Sequence, residues 1–292
     1  MKPSWLRTKI FLDSGDPKET RKILDLMGFL DGQTTNPTLV AKNPDVQERL
    51  KRGEGFTREN LLSFYKKIVQ EISALIPEGS VSIETYADHK TTSAEILEQA
   101  KEMFDWIPNA HVKMPTNKAG LEAAYQAVKL GIRVNMTLCF SQEQAGAVYM
   151  ATQNAGRGDV FVSPFIGRLD DIGLMGVDLI ENIMRMFHDP IHPCDEHVQI
   201  LSASIRHLYH LLHVIRVDTD IATCPFKVLE EWAKEGFSRP ESDFCYNNPR
   251  LKKISYQPYT NFAGTWHDFD ITHPLTDKGV ELFSRDWNSL IK

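Results

Sequence analysis

Residues 110–138 read AHVKMPTNKAGLEAAYQAVKLGIRVNMTL, and this stretch decides the fold. It contains a short run at 111–114 and an apolar run at 132–138, and both predict buried β-strands. Between them, apolar residues recur with helical spacing over 118–130. A strand, a helix and a second strand of these lengths are typical of one β-α-β unit of a parallel sheet.

The same alternation of strand and helix runs along most of the chain. The predicted strands are 9–13, 32–36, 80–84, 111–114, 132–138, 159–163, 198–203 and 220–223. The predicted helices are 18–27, 59–75, 92–104, 118–130, 142–153, 174–186, 205–214 and 227–234. Eight alternations favour an α/β fold with a single (β/α)8 TIM barrel over residues 1–292, although an open doubly wound sheet produces a similar string.

Three segments lie outside this minimal pattern. Residues 43–58 are polar and predict a loop or a short helix. Residues 237–270 are rich in Pro, Asn, Tyr and Phe without periodicity, which indicates an irregular insertion acting as a lid, an oligomer contact or an ordered arm. Residues 276–290 predict an additional C-terminal helix.

Composition narrows the class of protein. The formal net charge of -6 argues against a nucleic-acid-binding surface. The four cysteines are widely spaced and indicate free thiols in a reducing compartment. Since no stretch approaches the length of a membrane span and the N-terminus has no apolar signal region, we expect a cytoplasmic protein without membrane contact.

Lys113 lies within a strand whose composition predicts burial. Burying an ammonium group costs several kcal/mol unless the group is paired or loses its proton. A neutral amine is the form that attacks a carbonyl to give a Schiff base. Lys113 is therefore the first candidate nucleophile, although a salt-bridged lysine near a strand end would explain the residue on its own.

Polar side chains at the ends of the other predicted strands favour the interpretation of Lys113 as a nucleophile over that of a salt-bridged lysine. In a barrel the carboxyl ends of the strands meet at one face, where catalytic groups collect. The polar residues at or just after these ends are Asp13, Asn36, Ser82, Glu84, Asn135, Thr137, Ser163, Arg168, Ser204 and Arg206. Their recurrence on successive strands indicates a shared site.

Residue type suggests a role for each group. Glu84 is the candidate for shuttling protons through a water held partly by Thr137. Asp13 is the candidate base for the hydroxyl that loses its proton when a carbon–carbon bond next to a ketone is cleaved. Asn36, Asn135 and Ser163 would bind substrate hydroxyls. Arg168 and Arg206, with Ser204, would bind a phosphate group, although Asp170-Asp171 beside Arg168 leaves a surface ion pair open for that arginine.

Five ordered motifs resemble the transaldolase family. They are Phe11-Leu12-Asp13, Thr34-Thr35-Asn36-Pro37, Val112-Lys113-Met114-Pro115, Asn135-Met136-Thr137-Leu138 and Ser163-Pro164-Phe165-Ile166-Gly167-Arg168. Three later elements extend the match: Ala203-Ser204-Ile205-Arg206, Asp220-Ile221-Ala222-Thr223 and His273-Pro274-Leu275-Thr276.

The resemblance implies a specific division of labour. Lys113 would be the Schiff-base lysine, Asp13 the acid/base, and Glu84 with Thr137 the pair that holds the catalytic water. The expected substrate-binding set is Asn36, Thr34, Ser82, Asn135, Ser163, Phe165, Arg168, Ser204 and Arg206. The implied reaction transfers a dihydroxyacetone unit between sugar phosphates, from sedoheptulose 7-phosphate to glyceraldehyde 3-phosphate, without a cofactor.

The family also contains fructose-6-phosphate aldolases, which typically carry glutamine at the position of Glu84 and tyrosine at the position of Phe165. Glu84 and Phe165 therefore favour transaldolase, with the aldolase as the alternative. A barrel that binds a sugar phosphate without catalysis is the alternative from another class. Compact members form decamers and large members form dimers, and we expect one of these homo-oligomers here.

The sequence gives only weak evidence for a metal site or a nucleotide site. His207, His210 and His213 recur every third residue, which does not keep three side chains on one helix face. Cys194 and His197 have ligand-like spacing, but no second pair completes a zinc site, so no metal is expected. Cys139 is expected to be a packing residue, and no GxGxxG motif is present.

Overall fold

A computed structural model describes residues 1–188, 195–258 and 264–292. Within these residues, eight strands form one closed parallel barrel in the order of the sequence, with β8 hydrogen-bonded to β1. The strands are β1 (Lys9–Asp13), β2 (Gly32–Thr34), β3 (Ser80–Glu84), β4 (Ala110–Pro115), β5 (Val134–Cys139), β6 (Val160–Pro164), β7 (Val198–Ser202) and β8 (Ile221–Cys224). The predicted (β/α)8 barrel is confirmed, and the open-sheet alternative is wrong.

Helices follow the strands and surround the barrel. They are α1 (Pro17–Met27), α2 (Pro37–Ala41), α3 (Pro44–Lys51), α4 (Arg58–Leu75), α5 (Ser93–Phe104), α6 (Lys118–Lys129), α7 (Gln142–Ala151), α8 (Ile166–Asp170), α9 (Gly176–Phe187), α10 (Leu208–Arg216), α11 (Phe226–Lys234) and α12 (Pro274–Asn288). Side chains cap the first turns of most of these helices, but not those of α8, α9 and α11. For example, the Ser141 hydroxyl accepts from the Gln144 amide at 3.1 Å, and Thr92 with Glu95 forms a capping box on α5.

Two of the predicted boundaries differ from those in the structure for a clear local reason. The predicted strand 32–36 ends at Thr34, because Asn36 caps α2 and Pro37 is suited to the first position of a helix. The predicted helix 205–214 begins only at Leu208, with His207 as its cap. The short helices α2 and α8 were not predicted, since five residues are too few to show a period.

The polar segments adopt different structures. Residues 43–58 include the short helix α3, as the prediction allowed. The described parts of 237–270 contain a 3₁₀ turn at Trp266–Asp268 and otherwise irregular chain. The 237–258 segment runs across the outer helices: the Ile254 amide donates to Asp178 at 2.9 Å, and the Gln257 amide donates to Gln142 at 2.9 Å. It is therefore an ordered arm over the part that the structure describes.

The C-terminal helix α12, which the sequence predicts, lies against the carboxyl end of the barrel. The Thr276 hydroxyl donates to the Leu138 carbonyl at 2.9 Å, where β5 ends. A Cβ on Gly279 would lie 2.6 Å from the Leu138 side chain and 2.9 Å from Nη1 of Arg168, so a larger residue here would require these side chains to shift. The helix thereby covers one side of the mouth of the barrel. No helix among the described residues is both long and apolar enough to cross a membrane.

Candidate active site

Adjacent strands place Lys113 between a carboxylate and an amide. In the register of the barrel, Lys113 pairs with Glu84 on β3 and with Asn135 on β5. Its Nζ lies 2.9 Å from Oε2 of Glu84 and donates to the carbonyl of Thr35 at 3.2 Å. Lys113 is 3% exposed and Glu84 is 5% exposed, so the pair is buried inside the barrel end.

Burial dominates the protonation of Glu84. It raises the pKa of this carboxyl above its usual value, although the positive charges of Lys113 and Arg168 act in the opposite direction. The Glu84 amide donates to the hydroxyl of Tyr65, a residue of α4, at 2.9 Å, which fixes the end of β3. Glu84 is therefore suited to exchange a proton with groups near Lys113.

Asp13 supplies a second carboxyl at the same face. The Thr34 hydroxyl lies 2.7 Å from Oδ1 of Asp13 and 2.6 Å from the hydroxyl of Thr223 at the end of β8. Burial raises the pKa of Asp13, while Lys113 and the hydrogen bond from Thr34 partly offset that effect. This environment is suited to a general base that returns its proton later.

A chain of hydrogen bonds orients the amide of Asn135. The Ser163 hydroxyl donates to its Oδ1 at 2.6 Å, and its Nδ2 donates to the Ser82 hydroxyl at 3.0 Å. Thr137, two residues farther along β5, is fully buried. Its hydroxyl has no hydrogen-bond partner among the described residues, and such a group costs free energy unless something else binds it.

These groups surround a cavity of about 630 Å³ at the carboxyl end of the barrel. Its wall includes the predicted residues Asp13, Thr34, Asn36, Lys113, Ser163, Phe165, Arg168, Ser204 and Arg206. Asn36 uses its Oδ1 to cap α2, which leaves the amide nitrogen for another partner. Glu84 and Phe283 of α12 line a separate small cavity, while Ser82, Asn135 and Thr137 are fully buried and line neither cavity.

The two predicted arginines lie on neighbouring connections. Arg168, on α8, is half-buried and lies 5.2 Å from the ring of Phe165 and 5.1 Å from that of Phe283. Arg206 is exposed, and its Nη2 lies 2.8 Å from Oδ2 of Asp171. The surface ion pair that the sequence left open for Arg168 is thus formed by Arg206.

Close backbone contact holds these two connections together. The Gly167 amide donates to the Ser204 carbonyl at 3.1 Å. A Cβ on Gly167 would lie 2.3 Å from that carbonyl oxygen and 2.5 Å from the Arg206 side chain. Ser204 itself has a left-handed φ of 59°, which is uncommon for a residue with a side chain.

Several residues of the site were missed by sequence reasoning. They are Thr35, Tyr65, Thr223 and the cavity lysines Lys42, Lys227 and Lys278. Thr223 stands in a motif at a strand end and could have been found there. The lysines lie at or on helices, where a lysine is ordinary, so their sequence carried no signal.

The histidines and cysteines do not assemble a metal site in the residues that the structure covers. No group of three His, Cys, Asp or Glu side chains there could hold a metal ion. His192 and Cys194 lie outside the described residues. Cys139 is buried as expected for a packing residue, and burial raises the pKa of its thiol to about 12, which keeps it from acting as a nucleophile.

A buried amine beside two carboxyl groups of raised pKa can perform nucleophilic addition to a carbonyl and the proton transfers that accompany it. Two guanidinium groups farther out in the same cavity can bind an anion.

The chain is similar to known proteins over nearly its whole length. The family described as Transaldolase/Fructose-6-phosphate aldolase matches residues 10–292. A probable transaldolase of Dehalococcoides mccartyi is 37% identical over 97% of this chain and 100% of its own length. A probable transaldolase of Halalkalibacterium halodurans is 36% identical over 96% of this chain and 99% of its own length. The family match covers nearly the entire sequence, and the similar relatives agree with it. The chain therefore belongs to the transaldolase/fructose-6-phosphate aldolase family.

Proposed function

We propose that the protein is a transaldolase, which transfers a dihydroxyacetone unit from a ketose phosphate to an aldose phosphate through an imine on Lys113. The two substrate pairs would be sedoheptulose 7-phosphate with glyceraldehyde 3-phosphate, and fructose 6-phosphate with erythrose 4-phosphate. Membership of the family makes the protein an enzyme of the transaldolase or aldolase kind.

One observation carries this proposal. The amine of Lys113 is buried and lies 2.9 Å from the carboxyl of Glu84, while Asp13 is near enough for its pKa to respond to the Lys113 charge. Burial of the pair keeps bulk water away from the amine that would act as the nucleophile. A purely structural ion pair would not need a second carboxyl of raised pKa at the wall of a cavity.

Each step can be assigned to a group. Lys113 Nζ attacks the C2 carbonyl of the ketose, and the carbinolamine loses water to give the imine, with Glu84 and a water on Thr137 moving the protons. Asp13 takes the proton of the C4 hydroxyl while the C3–C4 bond breaks, and the electron pair of that bond enters the enamine on Lys113. The first aldose leaves, and the enamine carbon attacks the aldehyde of the acceptor while Asp13 returns its proton. Hydrolysis of the new imine releases the second ketose.

The remaining contacts fit a phosphorylated sugar. Asn36, Asn135 and Ser163 present amide and hydroxyl groups for sugar hydroxyls. Arg168 and Arg206 offer two planar guanidinium groups, which suit the oxygens of a phosphate. The protein would act in the cytoplasm as a homo-oligomer, either a dimer or a decamer. It would need no metal or cofactor, since every proposed step uses its own side chains.

The second candidate is a fructose-6-phosphate aldolase that releases free dihydroxyacetone. Glu84 and Phe165 favour transaldolase, because the aldolases typically have glutamine and tyrosine there. In the structure, Phe165 presents only a hydrocarbon ring beside Arg168, and no hydroxyl from this position reaches the cavity.

Trapping of the imine tests the proposal. The protein is incubated with fructose 6-phosphate, reduced with borohydride and digested, and the adduct is located by mass spectrometry. We expect a three-carbon adduct on Lys113, and Lys113→Met should lose both the adduct and turnover. Lys118→Ala, an exposed lysine of the same β-α unit, is the matched control and should keep both.

An acceptor assay separates the two candidates. Glyceraldehyde 3-phosphate should form from fructose 6-phosphate at a sustained rate only when erythrose 4-phosphate is present. Sustained release of free dihydroxyacetone without an acceptor would identify an aldolase. Turnover without any adduct on Lys113 would contradict the Schiff-base mechanism itself.

A further inference from the structure

The imidazole of His210 joins the two connections that carry Arg168 and Arg206. His210 lies on α10 and is fully buried. Its Nε2 lies 3.0 Å from Oδ2 of Asp170, and its Nδ1 accepts from the Arg206 amide at 3.4 Å. One ring therefore contacts the connection after β6 with one nitrogen and the connection after β7 with the other.

Asp170 is held by three elements at once. Its Oδ1 accepts from the Gly176 amide at 2.9 Å, and its Oδ2 accepts from the Tyr246 hydroxyl at 3.0 Å as well as from His210. Burial opposes ionisation of Asp170, but these contacts together hold its pKa below the usual value. The carboxylate thus stays charged and can keep all its donors in place.

Tyr246 brings the 237–258 segment into this cluster. Its amide donates to Nδ1 of His213 at 3.1 Å, and its ring lies 4.6 Å from the ring of His210 and 5.2 Å from that of His207. The hydroxyl of Tyr246 is consequently fixed from both sides. The segment that has no regular secondary structure ends up bonded to the helix that carries Arg168.

Asp170 and His210 each lie only a few residues from one of the two arginines along the chain. Asp170 lies two residues after Arg168 on α8, and it is the last residue of this helix of only five residues. Arg206 is bonded to His210 through its own backbone amide. A change in the contact between His210 and Asp170 would therefore change the separation of the two guanidinium groups.

We propose that His210, together with Asp170 and Tyr246, is a positioning residue that sets the separation and orientation of Arg168 and Arg206 for the substrate phosphate. The proposal rests on the phosphate role given to the two arginines under the proposed function. It concerns binding of the phosphate group and leaves the chemistry at Lys113 untouched, because none of these three side chains contacts Lys113, Glu84 or Asp13.

Two substitutions of His210 separate its two contacts. Asn places an oxygen near the position of Nδ1 and keeps the acceptor for the Arg206 amide, but is too short to reach Asp170. Gln places a donor near the position of Nε2 and can keep the contact with Asp170. Tyr246→Phe removes a single hydroxyl and retains the ring.

The readouts are steady-state kinetics with fructose 6-phosphate and erythrose 4-phosphate, calorimetric binding of inorganic phosphate, and borohydride trapping with unphosphorylated dihydroxyacetone. For His210→Asn we expect KM for fructose 6-phosphate and Kd for phosphate to rise about tenfold, with kcat within about twofold of the unmodified enzyme. His210→Gln should recover most of the loss, and Tyr246→Phe should weaken binding about threefold. Trapping with dihydroxyacetone should not change.

His197→Asn is the matched control. His197 is also buried and also contacts an aspartate, Asp195, but it lies at the start of β7, at the opposite end of the barrel. Any general loss of stability should be similar in His197→Asn, as measured by thermal unfolding, whereas the rise in KM should be absent.

The outcomes are distinguishable. An unmodified protein that forms no imine with fructose 6-phosphate refutes the proposed function, and phosphate calorimetry still tests the cluster in that case. Unchanged phosphate affinity in His210→Asn, an equal rise in His197→Asn, or an equal loss of trapping with dihydroxyacetone would each overturn the positioning role.

Discussion

Arg206 forms an ion pair with Asp171 at the mouth of the cavity, with 2.8 Å between Nη2 and Oδ2. Both side chains are about half exposed, at 49% for Arg206 and 62% for Asp171, so water screens the pair and its strength is modest. A phosphate that binds Arg206 competes with this carboxylate and is repelled by its charge. On the proposed phosphate role of Arg206, Asp171 would therefore oppose binding of the phosphate.

Asp171→Asn should consequently tighten the binding of phosphorylated substrates. We expect KM for fructose 6-phosphate to fall about two- to threefold and inorganic phosphate to inhibit more strongly, since the variant removes repulsion and a competing partner. Asp218→Asn is the control, because Asp218 also pairs with an exposed arginine, Arg7, outside the cavity. A higher KM in Asp171→Asn would mean that Asp171 orients Arg206 instead of competing for it.

Glu84→Gln removes the ionisable carboxyl group next to Lys113 while keeping the size of the side chain. We expect the rate of transfer from fructose 6-phosphate to erythrose 4-phosphate to fall about 100-fold, in line with the loss of a general acid–base group. The remaining activity should shift toward release of free dihydroxyacetone, as in the aldolases of the family. Stopped-flow measurement of imine formation checks the first effect and product analysis checks the second.

Glu95→Gln is the control for this variant, since Glu95 is an exposed glutamate in the capping box of α5. It should leave transfer unchanged. An unaltered transfer rate in Glu84→Gln would remove Glu84 from the proton pathway.

Asp13 links activity, stability and pH. Its pKa is raised in the folded protein, chiefly by burial, above the value of about 4 in an unfolded chain. The folded state therefore favours the protonated form, so this group contributes stability below the unfolded pKa and loses it as pH rises through the folded pKa. Asparagine cannot ionise and escapes that loss.

Asp13→Asn should accordingly be inactive in C–C cleavage yet more stable near neutral pH. We expect the difference in Tm between variant and unmodified protein to grow from about zero near pH 4 to about 2–4 °C near pH 8. The effect is limited because Asp13 lines an open cavity that water reaches. A constant difference across this pH range would show that Asp13 titrates as it does in the unfolded chain.

The strand residues of the site were predictable, because a barrel brings the ends of its strands to one face whatever the details of the loops. Lys113, Glu84 and Asn135 follow from that rule together with the alternation of side chains in a strand. The ion pair of Arg206 with Asp171 was not predictable, since the two residues are 35 positions apart on different connections. His210 was weighed only as a metal ligand, because nothing in its spacing indicates a contact with Asp170.

The hydroxyl of Thr137 gives a prediction in which stability and activity together report whether the hydroxyl binds a water. This hydroxyl is buried without a hydrogen-bond partner among the described residues, and valine has the same shape without the polar atom. If this hydroxyl has no partner at all, Thr137→Val should stabilise the fold by about 1 kcal/mol, seen as a rise of about 2 °C in Tm, whereas a hydroxyl that binds a water should give no such gain. If Thr137 holds the catalytic water, the same variant should slow imine formation at least about tenfold.

Thr8→Val is the matched control. The Thr8 hydroxyl is likewise buried and unpaired within the described chain, but it precedes β1, at the opposite end of the barrel from the cavity. It should gain similar stability and keep its full rate of imine formation. A Thr137→Val protein that is more stable and equally fast would assign its hydroxyl no part in the reaction, whereas a slower Thr8→Val protein would show that the loss of rate is a general effect of substitution in the barrel.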